Sequence, residues 1–493
     1  MLAAIDIGSN SFRLEIGRIA SGRYRRHDYF KEVVRLGAGL DDQSCLTEAA
    51  FERGLSTLVN FAQRLEGFEP TRIRAVATQT LREARNRDEF LRAAQRVLGH
   101  PIEVISGREE ARLIYSGVSF LQPADHSRLV VDIGGRSTEL ILGQGRAPRA
   151  AESFPVGSVS LSMRYFGDGR MSSQAFRAAQ VAAGAEFEEA MTEFAPSLWT
   201  EALGSSGTVG AVSNVLRESG ITDGCITAPA LAGLIERCIE AGHVDRLQVP
   251  GLRDDRRAVI PGGLAILYTL VTHFGIEQMR PAKGALRQGV IIDLHERLLA
   301  LRAGARGQDA RDLTVAALQA RFGVDVAQAG RVRDTALQMH DAVLPEADPQ
   351  ARRELGWACE LHELGLAVSH HDYHRHSAYL MAHLDAPGFS QSQQRRIGQL
   401  VLAQRGGLRK VEEPLVEALF AWQALCLRLA VIRCHAREAE PSPVYKLSRR
   451  NGRVAVLGWQ PAKVRPNPRA LHLLQEEMQA WERQGPLTLE CTA

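Results

Sequence analysis

One short pattern occurs twice in the chain and limits what it can fold into. Residues 2–7 are apolar apart from Asp6 and run into a Gly-Ser-Asn turn, after which Phe12, Leu14 and Ile16 alternate with Arg13 and Glu15. Residues 129–142, LVVDIGGRSTELIL, repeat the plan: an apolar strand ending in Asp, a Gly-containing turn, and a second strand starting near Thr138. In register, Asp6 falls on Asp132, Gly8 on Gly134 and Ser11 on Ser137. A strand, turn, strand unit that recurs with matching spacing predicts two related α/β halves.

Between the repeats, Ala50, Leu55, Leu58, Phe61 and Leu65 have helical spacing, RIRAVAT at 72–78 reads as a strand, and 87–98 as a helix. The second half continues with helical stretches near 173–193 and 229–241 and a short GSSGT turn at 204–208. After about residue 300 the texture changes to Ala, Leu, Gln and Arg at helical spacing. Pro441, Pro443, Pro461, Pro466 and Pro468 mark a last segment with short strands, YKLSRR and GRVAVLGW, before a terminal helix.

Composition excludes several classes. With 45% hydrophobic and 24% charged residues the chain is too apolar for disorder, and a net charge of +3 is far from a polycation that binds by bulk charge. Only five of the 60 basic residues are Lys; guanidinium groups suit phosphate, but GC-rich codon usage explains the bias as well. The seven Cys are odd in number and form no CxxC pair, which reads as reduced thiols in a cytoplasmic protein. The N-terminus lacks a basic signal region and no run of about 18 apolar residues occurs, so neither a signal peptide nor a membrane span is expected.

A strand that ends in Asp and enters a Gly-Ser turn offers backbone N–H groups to phosphate while its carboxylate can hold Mg²⁺. One such turn could be a simple hairpin corner. Two with matching D-I-G-x-x-S spacing point to facing hairpins that grip an oligophosphate from both sides. In ISGREEARLIYSGV at 105–118, Ser106 and Glu109 form a capping box that opens a helix, which gives Glu109 a structural job. Glu110 has none. A carboxylate in a first helical turn either faces solvent or faces a cleft, where it can orient or deprotonate a water.

DIGSNSF at 6–12, TQTLREA at 78–84, ISGREEARLIYSGV, VDIGGRSTEL, GSSGT and GALRQG together resemble the exopolyphosphatase and guanosine pentaphosphate phosphohydrolase family over the first 300 residues. LHELGL and HRHSAYLM resemble its long members. The resemblance implies an α/β fold of duplicated ribonuclease-H-like domains of the actin-like ATPase superfamily at 1–122 and 123–300. A mainly helical HD-like domain at 301–440 and a small basic C-terminal domain at 441–493 would follow. It implies that Glu110 is the catalytic base, that Asp132 and Glu139 hold or orient Mg²⁺ with Asp6 opposite, and that a homodimer forms. Phosphate would be bound by Gly8, Ser9, Asn10 and Ser11, by Gly134, Gly135, Arg136, Ser137 and Thr138, and by Ser206 and Gly207, helped by Arg82 and Arg35. The cofactor expected is Mg²⁺, with room for a monovalent cation such as K⁺. Two positions depart from the pattern: Arg136 stands where a third Gly is usual, and Lys283 where an acid often precedes GALR. If position 136 needs a positive φ, a side chain there costs on the order of 1 kcal/mol; alternatively its guanidinium reaches the polyanion.

Seven of the 15 His lie between 340 and 383, but the His-Asp pair of a metal-binding HD domain reads here as His362-Glu363, so solvated and helix-capping histidines are expected instead of a second metal centre. Residues 441–475 hold Lys446, Arg449, Arg450, Arg453, Lys463, Arg465 and Arg469 and no acid. This is either a solvated face or a channel for long polyphosphate made by Lys446, Arg449, Arg450, Arg453 and Arg465. The leading expectation is therefore an Mg²⁺-dependent exopolyphosphatase acting on inorganic polyphosphate, with a guanosine pentaphosphate 5′-phosphohydrolase as the alternative and neither membrane nor specific nucleic acid as partner. An actin-like or sugar-kinase ATPase and a non-catalytic polyphosphate-binding regulator are the readings from other classes.

Overall fold

A computed structural model describes residues 1–303, 309–439, 443–460 and 466–492, except the side chains of 302 and 303. The chain divides into two units, Met1–Leu299 and Ala300–Ala493. In the first unit, β1 (Leu2–Ile7), β2 (Phe12–Ala20), β3 (Arg23–Glu32), β4 (Ile73–Ala77) and β5 (Ile102–Val104) form a sheet in the order β3-β2-β1-β4-β5. The second sheet, from β6 (Ser127–Ile133), β7 (Thr138–Gln144), β8 (Ala147–Phe154), β9 (Glu201–Ser205) and β10 (Met279–Pro281), has the order β8-β7-β6-β9-β10. Strand for strand the two agree: three antiparallel strands, then two added in parallel. The repeat read from the sequence is thus a duplicated ribonuclease-H-like domain.

Both sheets are covered on two faces, which is why β1 and β6 read as continuous apolar runs. Side chains alternate across a strand. Ala3, Ile5 and Ile7 join Phe12, Leu14, Phe61 and Phe90 in the outer core of the first half, and Leu129, Val131 and Ile133 join Phe176, Leu264 and Leu267 in that of the second. Leu2, Ala4 and Val130 point the other way, into a central cluster with Ile114, Tyr115, Ile141 and Val290. The helices Gly107–Leu121 and Leu286–Ala303 run through this central layer. Gly117 and Gly289 make their approach possible, since a Cβ on either would overlap backbone of the other helix.

The strand β3 and the helices after 154 were not all legible. β3, RYRRHDYFKE, is an exposed edge strand whose charged side chains erase the apolar alternation that marks a strand. GSSGT, expected as a turn, closes β9 and opens the helix Ser206–Glu218.

The second unit is helical from Ala310 to Arg433, and its three-stranded sheet, β11 (Val444–Arg450), β12 (Val454–Gln460) and β13 (Thr488–Cys491), contributes Tyr445, Leu447, Leu457 and Leu489 to the same core as Trp422 and Leu425. His362 is buried with Nδ1 2.7 Å from the Cys359 carbonyl, and Arg437 takes Glu363 at 2.5 Å. Among the described residues no three or more His, Cys, Asp or Glu side chains are placed to hold a metal ion by themselves. All seven Cys are free thiols, and among the described residues no helix is long and apolar enough to cross a membrane.

Candidate active site

Period-two alternation explains why the repeated Asp residues meet. Asp6 follows Leu2 and Ala4, and Asp132 follows Val130, so both continue the row that faces the central layer and emerge where the strands end. A cleft of about 480 Å³ opens there, lined by both hairpin turns, Glu110, the start of the helix Ser206–Glu218 and residues 282–288. Asp132 pairs directly with Glu139 across the second hairpin. In the first hairpin the equivalent pair is Asp6 with Arg13, whose Nη1 donates to Asp6 at 3.2 Å. The two halves have therefore diverged at one position, with an acid in one copy and a guanidinium in the other.

Glu110 sits in the first turn of the helix Gly107–Leu121, which Ser106 caps by accepting from the Glu109 N–H. It is buried, and Arg82 donates to its Oε2 at 2.8 Å. Burial pushes its carboxyl up to about 7 against the pull of Arg82, with Asp132 and Asp6 adding to the rise. Asp132 is pushed up to about 6, first by burial, with a Ser205 hydrogen bond and Arg13 opposing and Asp6 adding. Glu139 stands well above the carboxylate range through burial and the charges of Glu110 and Asp132, although Ser153 donates to it at 2.8 Å.

Among the described residues no Lys or Arg forms an ion pair with Asp132 or Glu139, and the Ser11 hydroxyl in the cleft wall is buried without a partner. These donors fit a hard dication, which commonly takes one or two protein carboxylates and completes its shell with water and substrate phosphate. The raised values have a measurable sign. A carboxyl that holds its proton more tightly when folded contributes stability fully present below the unfolded value of about 4.3, and this is lost as pH rises through the folded value. Glu139→Gln, neutral at every pH, should therefore raise the melting temperature at pH 7.5 without divalent ions by a few degrees, about 1 kcal/mol. Lower thermal stability in that variant would contradict the electrostatic cost inferred for the Glu139 carboxylate.

Of the phosphate-binding residues expected from the sequence, Gly8, Ser9, Asn10, Ser11, Gly134, Gly135, Ser137, Ser206 and Gly207 line the cleft. Ser206 adopts φ +77° while its hydroxyl donates to the Ile133 carbonyl at 2.8 Å. A Cβ at Gly207 would overlap the Arg256 guanidinium, so glycine lets that cation lie against the helix start and a larger residue would make it shift. The four others do not line the cleft. The Thr138 hydroxyl is buried and donates to the Val156 carbonyl at 2.6 Å. Arg82 holds Glu110, Arg35 is exposed with its backbone N–H on Asn10, and Arg136 reaches Glu83. Arg136 does not have a positive φ, so no backbone strain arises there.

The cations that do line the cleft are Arg13, Arg26, Lys31, Arg253, Arg256, Lys283 and Arg287. Asp255 pairs with Lys31 at 3.3 Å and with Arg253 at 3.2 Å. Burial, then Arg256, lowers the Lys31 ammonium, and burial, then Arg13, lowers Arg256. Asp255 offsets these cations only in part, and an oligophosphate would supply further counter-charge. In the sequence the repeat points to Arg13, which falls on Glu139 when Asp6 is laid on Asp132, and the GALRQG stretch to Lys283 and Arg287; Arg26, Lys31, Arg253 and Arg256 gave no signal.

Glu109 differs from expectation. Its N–H is capped, but its carboxylate lies 2.7 Å from Arg112 and 3.6 Å from Arg74, fully buried. In the second unit, Lys446, Arg449 and Arg450 are exposed on β11 and Arg453 follows in the turn; Arg450 pairs with Glu490 at 2.5 Å and Arg449 lies over the Trp422 ring. Lys463 and Arg465 lie outside the described residues.

A profile described as the Ppx/GppA phosphatase family matches residues 27–298, and one for domain III of the same phosphatases matches 310–471. A protein of Aeromonas hydrophila named guanosine-5'-triphosphate,3'-diphosphate pyrophosphatase is 38% identical over 91% of this chain and 90% of its own. A protein of the same name from Aeromonas salmonicida is 37% identical over the same shares. A crystal structure of an exopolyphosphatase-like protein is similar with a TM-score of 0.55 at 26% identity, over 61% of this chain and 98% of its own.

Proposed function

The chain belongs to the Ppx/GppA phosphatase family, hydrolases of phosphoanhydride bonds, and from that membership we propose that it removes the terminal 5′ phosphate of guanosine pentaphosphate. The observation that carries hydrolysis is a buried carboxyl, Glu110, set near neutrality between two Gly-Ser turns and a wall of cations. The choice of substrate rests on the two relatives, and it reverses the order expected from the sequence, which put polyphosphate first.

Phosphoanhydride hydrolysis asks for an in-line water, donors on the transferred group and neutralisation of its charge. Glu110 orients the water and accepts its proton, and Arg82 keeps that carboxylate aimed by donating to one oxygen only. The backbone N–H groups of the Gly8–Ser11 turn and of Gly135–Ser137 and the start of the helix Ser206–Glu218 receive the phosphate oxygens, while the Gly134 N–H closes its own turn onto the Ser137 carbonyl. Arg13, Lys31, Arg256 and Arg287 hold the rest of the phosphate chain. Asp132 and Glu139, with Asp6 opposite, would hold Mg²⁺, which when bound supplies positive charge to the phosphate oxygens. Because Arg256 meets substrate charge in ground and transition states alike, Arg256→Ala should raise KM about tenfold or more with a smaller change in kcat. A fall in kcat at unchanged KM would remove Arg256 from the binding wall.

Exopolyphosphatase action remains the second reading, favoured by the exposed Lys446, Arg449 and Arg453, which make no ion pair among the described residues. Phosphate release from guanosine pentaphosphate, long polyphosphate and ATP, each with and without Mg²⁺, separates the readings. Guanosine pentaphosphate should give the highest kcat/KM. Faster release from polyphosphate would restore the other order, ATP turnover alone would indicate a kinase-like ATPase, and binding without release would indicate a regulator.

A further inference from the structure

Arg136 occupies the turn position where the resemblance leads one to expect glycine, and it does not face the cleft. Its guanidinium crosses to the first half of the unit, where Nε lies 2.8 Å and Nη2 2.6 Å from Glu83 Oε2, and Nη1 donates to the Gly37 carbonyl at 3.1 Å. Gly37 is itself tied to the first hairpin, its N–H donating to the Ser9 carbonyl at 2.8 Å. The second oxygen of Glu83 accepts from Gln79 Nε2 at 2.6 Å. Gln79 Oε1 accepts from Arg82 Nε at 2.8 Å and Nη2 at 2.5 Å, and Arg82 Nη1 donates to Glu110 at 2.8 Å.

The donors and acceptors in this chain admit one arrangement. A flipped Gln79 amide would set its NH₂ against the Arg82 donors and its oxygen against the Glu83 carboxylate, so the two flanking charges fix it. We propose that Arg136 and Glu83 are positioning residues for hydrolysis: docking of the second hairpin turn onto Glu83 fixes Gln79, then Arg82, and so aims the Glu110 carboxylate. The proposal rests on Glu110 being the base. Without Arg136, Glu83 Oε2 loses its partner, the carboxylate that orients Gln79 is free to turn, and the hold of Gln79 on Arg82 loosens, although the Ile105 carbonyl still accepts from Arg82 Nη1 at 3.0 Å. The effect falls on the chemical step, because neither Arg136 nor Glu83 lines the cleft.

The test is steady-state hydrolysis of guanosine pentaphosphate, and of polyphosphate in parallel, by full-length Arg136→Ala, Glu83→Gln, Arg136→Glu and the double variant Arg136→Glu/Glu83→Arg, with thermal melts to set the folded fraction. Arg136→Ala should lower kcat about tenfold with KM within about twofold, since misaimed catalytic groups cost rate and leave binding in place. The charge-swapped pair should regain at least about fivefold in kcat over Arg136→Glu, a recovery that mere bulk at position 136 would not give. Wild-type kcat in Arg136→Ala, a rise in KM alone, or no recovery in the swapped pair overturns the proposal. Glu110→Gln, measured beside them, distinguishes the two failures: an inactive Glu110→Gln with an indifferent Arg136→Ala sinks the positioning role alone, and an active Glu110→Gln sinks the base and the relay with it.

Discussion

Glu110→Gln is expected to lower kcat for guanosine pentaphosphate by about 10² to 10⁴ while KM stays within about twofold. Glutamine keeps the size of the side chain and an oxygen for the Arg82 hydrogen bond, so the cleft and its cations remain in place. What is lost is the proton acceptor. In the folded protein burial pushes the Glu110 carboxyl up to about 7, a value suited to a base that takes a proton from water near neutrality and returns it afterwards. Wild-type kcat should accordingly fall on the acid side of about pH 7, as Glu110 protonates, and that limb should be missing from the residual rate of the variant. Because Asp132 and Glu139 titrate beside it, the apparent value belongs to the group of carboxyls together. Turnover in Glu110→Gln within about tenfold of wild type at equal folded fraction would remove it as the base.

The parts of this site legible in the sequence are those written locally. The repeated Asp, Gly and Ser residues announce themselves by spacing, and Glu139 follows because a hairpin with a four-residue turn returns it opposite Asp132. Ser106 announces the helix that carries Glu110. Hidden parts depend on partners distant in the chain. Lys31 comes from a strand whose polar sequence reads as surface, and its counter-ion Asp255 lies 224 residues away. Arg136 sits in a phosphate turn and was expected to serve phosphate or to strain the backbone; nothing in the turn itself reveals Glu83, 53 residues earlier. The substrate order expected from the sequence, polyphosphate first, leaned on a basic C-terminal stretch in which Arg450 pairs with Glu490.

Glu109 shows the same limit and leads to the largest expected effect on stability. A capping box explains its position locally and predicts a loss of about 1 kcal/mol on substitution. Its carboxylate instead belongs to a largely buried network in which Arg74, Arg112 and Arg297 meet Glu103, Glu109 and Asp293. Asp293 is the centre: Arg74 lies at 2.7 Å, Arg112 at 2.5 Å and Arg297 at 2.5 Å. The network joins β4, β5 and the two helices of the central layer, so it also anchors the turn that carries Glu110. Removing one member leaves an uncompensated buried charge, and Asp293→Ala should cost about 3–5 kcal/mol, read as a lower unfolding midpoint in urea. The three guanidiniums hold the Asp293 carboxyl far below the usual range despite burial. A depressed carboxyl contributes stability present above its unfolded value of about 3.9 and lost as pH falls through the folded value. Wild type should therefore lose stability below about pH 4, and the part of that loss due to Asp293 should be absent from Asp293→Ala. Stability within about 1 kcal/mol of wild type at pH 7.5 would mean that the three guanidiniums find water or other partners when Asp293 is gone, and that the helix carrying Glu110 is held by its apolar face alone.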